Sequence, residues 1–188
     1  MRDLSLHILD IIQNSITAGA TVITVYICQI PEKGMLNLEI SDNGAGMEEN
    51  FLKRVEDPFT TSRTTRKTGL GIPLLKESAM KCEGQFSINS KKDIGTKVFA
   101  AFSIGHIDRL PVGDIGETML AVIASDPDIR FILHLESTKG EFKLDTDEIK
   151  TALGGVRITE AAVLNWLKEY IGDGIKNIFG GVLNEINS

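Results

Sequence analysis

Apolar and polar positions alternate along this chain with two periods, and each change of period marks an element boundary. Over residues 3 to 18, Leu4, Ile8, Ile11, Ile12 and Ser15 recur three and four apart, which predicts a helix with one apolar-to-small face. Gly19-Ala20 ends it. From Val22 to Ile30 the period drops to two, with Ile23, Val25 and Ile27 on one side and Thr24, Tyr26 and Cys28 on the other. Pro31 to Gly34 reads as a turn. Leu36, Leu38 and Ile40 then alternate with Asn37, Glu39 and Ser41, so a second strand should return antiparallel to the first. Glu48 to Glu56 suits a short helix, and residues 57 to 71, with few core apolar positions, read as a surface loop. A helix through Met80 follows. Phe86 to Asn89 and Lys97 to Ile104 are strands around a Lys91 to Gly95 turn.

Beyond Gly105 the character changes, and Ile107 to Pro111 reads as a linker. Asp114 to Ala124 looks helical, Ile129 to Leu135 and Glu141 to Leu144 look like strands, and Asp145 suits the cap of a helix to Leu153. Thr159 to Ile171 is amphipathic through Val163, Leu164, Trp166, Leu167 and Tyr170; a further helical piece, Ile175 to Ile186, follows Gly172 and Gly174. The chain thus divides into 1–105 and 106–188. The apolar face of the second part is expected to form a small core of its own, with a partner or dimer interface as the other use. The predicted fold class is α/β (α+β), a two-layer sandwich of a mostly antiparallel sheet with helices on one face, plus a small α/β C-terminal extension.

Some features do not belong to a packing pattern. The first helix carries a second stripe, His7, Asp10, Asn14 and Thr17, that is polar but nearly uncharged, whereas a solvated face mixes Lys and Glu. The strand ending at Ser41 runs into Asp42-Asn43-Gly44-Ala45-Gly46-Met47. That places a hydrogen-bond acceptor at a strand end, beside Gly44 and Gly46, which lack a Cβ and allow close approach. An adenine amino group would suit Asp42, although Asp-Asn-Gly by itself is equally a plain turn. Thr68-Gly69-Leu70-Gly71 stands before Ile72-Pro73, and the unpaired N–H groups of a helix start make an anion site. Thr96, in the later hairpin, reads by itself as an ordinary β-branched strand residue.

Together these stretches resemble the GHKL, or Bergerat-fold, ATPases, the ATP-binding domain shared by DNA gyrase B, Hsp90, histidine kinases and MutL. His7 to Ala20 is similar to the family's N-box, closest in wording to the MutL version, and the resemblance covers residues 1 to about 104. It implies a histidine-kinase-like ATP-binding domain over 1–105. In that domain Asn14 would ligate the Mg²⁺ that bridges the phosphates, and Asp10 would be the general base. Asp42, Gly44 and Gly46 would receive adenine, with Thr96 supporting Asp42. Residues 57 to 71 would be the ATP lid, bringing Lys67, Thr68, Gly69, Leu70 and Gly71 to the phosphates, with Arg63 and Arg66 as further charge. Magnesium takes few protein ligands, so one neutral amide oxygen suffices when phosphates supply the rest. There are two departures. Asp10 stands where the family usually has the longer Glu, and a misplacement of about 1 Å can cost roughly a hundredfold in rate. Thr17 stands where the MutL wording has Asp.

Composition narrows the functional classes. Across 188 residues, 42% hydrophobic and 24% charged content describe a globular chain, and a net charge of −6 disfavours a broad grip on nucleic acid. No stretch has the apolar length of a membrane span or a signal peptide, so a cytosolic protein is expected. Cys28 and Cys82 form no CxxC pair and read as packed thiols. His106 and His134 lack companions at metal or catalytic spacing. Met1 stands almost at the N-box, so the phosphoacceptor helical domain of histidine kinases is not expected before it, and His7 on the nucleotide-facing stripe is not expected to accept phosphate. The function expected is Mg²⁺-dependent ATP binding, with the γ-phosphate passed to a separate protein, as in histidine and anti-sigma kinases, or slowly hydrolysed. A second reading is an ATP-responsive binding module that regulates a partner through the extension without catalysis. A third is a MutL-like DNA-repair ATPase, supported by the N-box wording and opposed by charge and length. ATP or ADP and a protein partner or phosphoacceptor are the expected ligands, with a homodimer through the extension as a further option and no membrane contact.

Overall fold

The computed structural model describes residues 3–50, 52 and 71–180. The predicted first helix forms as α1, Leu4–Thr17, and Asp3 starts it. The Asp3 carboxylate accepts the Leu6 N–H at 3.0 Å and the Ser5 hydroxyl at 2.7 Å, satisfying one of the donors that a helix start leaves without an internal partner. Strands β1, Val22–Ile30, and β2, Met35–Asp42, follow, joined by a 3₁₀ turn at Pro31–Lys33. Then come α2, Gly71–Lys81, and the hairpin of β3, Gln85–Lys91, with β4, Gly95–Ser103. The second part supplies α3, Ile115–Ser125; β5, Arg130–Ser137; β6, Gly140–Asp145; α4, Thr146–Ala152; and α5, Ala161–Phe179. The expected short helix over 48–56 is described only in part, where the Leu52 N–H donates to the Glu48 carbonyl. The expected lid, including Arg63, Arg66, Lys67, Thr68, Gly69 and Leu70, lies outside the described residues.

Six strands form one sheet in the order β3-β4-β2-β1-β5-β6, antiparallel except where β5 runs parallel to β1. The period-2 pattern sets which residues share a face. Ile88, Val98, Ile40, Val25, Leu133 and Leu144 line up across all six strands, and Phe86, Ala100, Leu38, Ile27, Leu135 and Phe142 form the next row. That face meets Ile8, Ile12, Leu75, Met119, Leu167 and Ile171 from the helices in one apolar cluster. Each fully buried side chain of this kind contributes about 1.5–3 kcal/mol. The two-layer sandwich expected from the pattern is the fold observed. Cys28 and Cys82 are both buried and free, and no described helix is long and apolar enough to cross a membrane.

Residues 106–180 belong to the same sheet and the same apolar cluster as the first part. Beyond the β1–β5 pairing, the Leu4 and Ser5 N–H groups donate to the Pro111 and Val112 carbonyls at 2.9 Å each, which ties the start of α1 to the connecting segment. Helix α5 runs through Gly172 and Gly174, beyond which helix was expected to continue from Ile175. A glycine inside a helix costs about 1 kcal/mol relative to Ala. Packing reverses the preference at Gly174: a Cβ there would stand 2.6 Å from the Phe142 ring.

Candidate functional site

The third row across the inner face changes from apolar to polar. In register, Ser90 lies opposite Thr96, Thr96 opposite Asp42, and Asp42 opposite Ile23. The strand pattern that buries Leu38 and Ile40 thus delivers Asp42 to the same face, at its end. Asp42 is well anchored there. Its Oδ2 accepts the Ser15 hydroxyl of α1 at 2.6 Å, and its Oδ1 accepts the Gly44 N–H at 2.9 Å and the Thr96 N–H at 3.3 Å. The support from Thr96 comes through its backbone, because its hydroxyl pairs with Ser90 Oγ at 2.9 Å. Ser90 also accepts the Met47 N–H at 2.8 Å, joining the loop after β2 to the hairpin.

That loop is fixed from both sides. Asn43 Oδ1 accepts the Thr21 and Val22 N–H groups at 2.9 Å each, and its amide donates to Thr21 Oγ1. Ala45 donates to the Ala18 carbonyl and accepts from the Asp93 N–H. Gly46 has φ +61°, and a Cβ on it would lie 2.0 Å from the Lys91 carbonyl oxygen. Only glycine fits that approach. Asp42, Ser90, Gly95 and Thr96 share an open cleft of about 350 Å³ with Leu52 and Ile94 and with Ser41, Asn89, Lys91 and Lys97 of the strand ends and hairpin; its lining takes in no residue of α1.

Helix α1 connects this carboxylate to the start of α2. Ser15 binds Asp42, and five residues earlier, about 7.5 Å along the axis, Asp10 abuts Gly71; a Cβ on Gly71 would fall 1.9 Å from Asp10 Oδ2. Asn14 lies between the two, half-buried, with no side-chain hydrogen bond among the described residues. Asp10 Oδ2 and His7 Nδ1 are buried without a partner, two of four such side-chain atoms among the described residues, the others being Ser78 Oγ and Arg109 Nη2. Two of these four thus fall on the polar stripe of α1. His7 is 1% exposed. Burial lowers its pKa below the ordinary 6.5, against the raising effects of a backbone hydrogen bond at Gly71 and of the Asp10 and Asp3 carboxylates, so the neutral ring is favoured at neutral pH.

Of the residues singled out in the sequence, Asp10 and Gly71 thus meet beside α1, with Asn14 one turn further along the same stripe, while Asp42, Gly44, Gly46 and Thr96 meet at the strand end. Ser15 joins the groups. Its spacing in the sequence puts it on the packing face, where a hydroxyl reads as a small core residue. Asn43 and Ser90 were missed for a similar reason: their partners, at Thr21 and Met47, are far from them in sequence. A signal for Ser15 was present, since it adjoins Asn14 on a helix whose polar stripe faces the same way.

A helix with two unpartnered buried polar atoms, Asp10 Oδ2 and His7 Nδ1, thus stands beside a carboxylate at a sheet end on a two-layer sandwich. Residues 2–106 match the histidine kinase-, DNA gyrase B- and HSP90-like ATPase family, and the chain belongs to it. Sensor histidine kinase YvrG of Bacillus subtilis is 31% identical over 74 residues, 37% of this chain and 13% of the kinase. Autoinducer 2 sensor kinase/phosphatase LuxQ of Vibrio parahaemolyticus is 26% identical over 139 residues, 65% of this chain and 16% of LuxQ. The chain therefore spans a small fraction of these relatives. Among solved structures, the Aquifex aeolicus MutL ATPase domain, complexed with ADP, superposes with a TM-score of 0.54 at 15% identity, covering 81% of this chain and 68% of that one. The N-terminal domain of a DNA repair protein covers 98% of this chain and 59% of its own, with a TM-score of 0.51 at 15% identity. The fold likeness therefore extends beyond residue 106.

Proposed function

We propose that the chain binds Mg²⁺-ATP between α1 and the end of β2, in the cytosol, and passes the γ-phosphate to a separate protein or, slowly, to water. The observation that carries this reading is the unpartnered Asp10 oxygen, buried against Gly71 one turn before Asn14. A buried acceptor without a donor costs about 1–3 kcal/mol, and a hydroxyl or water lined up on a γ-phosphate would relieve that cost. The residues fit the ligand. Asn14 offers a hard, neutral oxygen to magnesium, and Gly71 leaves space where a side chain would collide with the base. Bound magnesium would neutralise charge across the phosphates. Asp10 would take the acceptor's proton at Oδ2. Asp42 would orient the purine: Oδ2 already accepts from Ser15 and keeps a second lone pair for an adenine amino group. Lys67, Thr68, Gly69, Leu70 and Gly71 would hold the phosphates.

A second reading, an ATP-responsive module acting on a partner through the extension, is favoured by a specific connection. Helix α1, which carries Asp10 and Asn14, is bonded at its start to Pro111 and Val112, and β1 pairs with β5. A shift of α1 on nucleotide binding would reach the extension directly. A DNA-repair role has no such support, because likeness at 15% identity concerns the fold and the net charge of −6 opposes it. The test is to incubate the protein with γ-labelled ATP and Mg²⁺, with and without host lysate. Label on another polypeptide is the expected outcome, with free phosphate as the slower product, and both should be lost in Asp10→Ala. Bound but intact ATP in wild type would favour the switch, and absence of binding would overturn both readings.

A further inference from the structure

Among the described residues nothing pairs with the outer edge of β6, and that edge is self-complementary. The hairpin pairs Ser137 with Gly140, Leu135 with Phe142 and Leu133 with Leu144. The Phe131 N–H donates toward the β6 side, to Thr146 Oγ1 at 2.9 Å. Odd-numbered residues of β5 therefore direct their backbone groups to β6, so Gly140, Phe142 and Leu144 complete that ladder. Glu141 and Lys143 are left with N–H and C=O groups directed outward. Both side chains are exposed on the solvent face. On the other face, Phe142 contacts Tyr170 with ring centroids 5.1 Å apart, and Tyr170 stacks on Trp166 at 5.0 Å. Trp166 is 47% exposed and Tyr170 39%. An open strand edge is thus continuous with an exposed aromatic strip.

We propose that this edge binds the same edge of a second copy of the chain, antiparallel about a two-fold axis at Phe142. Only registers that bring outward-directed residues opposite one another can form ladder bonds. Centring on Glu141 or Lys143 would set like charges face to face. Centring on Phe142 sets Glu141 opposite Lys143 of the partner copy, twice, each an exchange of two backbone bonds with opposite charges on one face. It also sets the two Phe142 rings beside each other on the aromatic face, where non-hydrogen-bonded pairs approach most closely. The opposite edge strand offers no such complement, since β3 exposes Gln85, Ser87 and Asn89 on its solvent face. The dimer would be a continuous twelve-stranded sheet, two copies of the six-stranded one. This inference is independent of the nucleotide reading.

The test uses the full chain in sedimentation equilibrium. Wild type should sediment at twice the mass of one chain at micromolar concentration. Lys143→Pro, which removes an outward donor and leaves the β5 ladder untouched, should sediment as a monomer with an unchanged circular dichroism spectrum. Glu141→Lys should weaken the dimer at least tenfold, and Glu141→Lys with Lys143→Glu in one chain should restore it. If the proline variant does not fold, register decides. Oxidised mixtures of Glu141→Cys and Lys143→Cys chains should form a disulfide-linked dimer, whereas neither variant alone should. A wild-type monomer across the concentration range would overturn the proposal. So would a dimer without the mixed disulfide, or a dimer that appears only when residues 181–188 are removed.

Discussion

The two halves of the sheet treat buried polar groups in opposite ways. In the β5–β6 half the groups are closed. Asp145, 1% exposed, accepts Arg130 Nε at 3.0 Å and Arg130 Nη2 at 2.6 Å, and caps α4 through the Asp147 N–H at 3.1 Å. Arg130 holds its carboxyl below the usual carboxylate value, against the opposing effect of burial. Thr146, fully buried, accepts the Phe131 N–H. At the β2 end, Asp42 and Asn43 are equally well bonded, but the helix facing them leaves Asp10 Oδ2 unpaired and the Asn14 amide without a partner among the described residues. A closed network holds a fold together. An open one leaves a buried acceptor to be completed, and the proposed role of Asp10 rests on this contrast with Asp145.

The largest expected effect falls on the open side. Asn14→Ala should lower Mg²⁺-dependent ATP affinity by roughly a hundredfold, about 2.7 kcal/mol, with no change in thermal stability. Unchanged calorimetric binding would remove the metal assignment. On the closed side, Asp145→Ala should cost about 2–3 kcal/mol in a urea titration, from the lost cap and the abandoned Arg130, while nucleotide affinity stays the same. A variant that loses affinity with little loss of stability would reverse the comparison. Ser15→Ala joins the two behaviours, because Ser15 donates to the carboxylate that the site depends on. A stability loss of about 1.5 kcal/mol is expected, together with a narrower preference for ATP over GTP; a stability loss with unchanged preference would show that Asp42 is held well enough by Gly44 and Thr96.

The smallest effect concerns pH. His7 has a folded pKa below 6.5, so the unfolded chain binds the proton first as pH falls. Its contribution is complete above pH 6.5 and is lost below it, with a slope of at most about 1.4 kcal/mol per pH unit. His7→Gln should flatten the fall in stability between pH 7 and 5; an unaltered slope would place the acid sensitivity elsewhere.

Much of the architecture was legible along the chain. The period-2 runs around Val25, Ile40 and Leu133 have one buried face each, and a strand with one apolar face has a single way to turn. Asp3 and Asp145 act as caps because a short carboxylate bonds the N–H groups two or three residues ahead, a purely local matter. The segment around Asp42 was legible because a strand pattern ended on a carboxylate followed by two glycines. The reason for glycine at position 174 was not, since it is favoured by a ring on another strand. The bond from Ser15 to Asp42 spans 27 residues, and neither side chain carries a mark of the other.

What the amino-acid order determined by itself is therefore local: the elements, their buried faces, the caps, and the kinds of side chain placed at each end. Only the tertiary structure decided which ends meet. It laid β5 beside β1, brought Ser15 to Asp42, and left Asp10 against Gly71 without a donor. The physical reason is that periodicity specifies a face but not its partner, because burial is satisfied by any apolar surface of the right shape. A hydrogen bond between distant residues exists only once packing has set the distance between them.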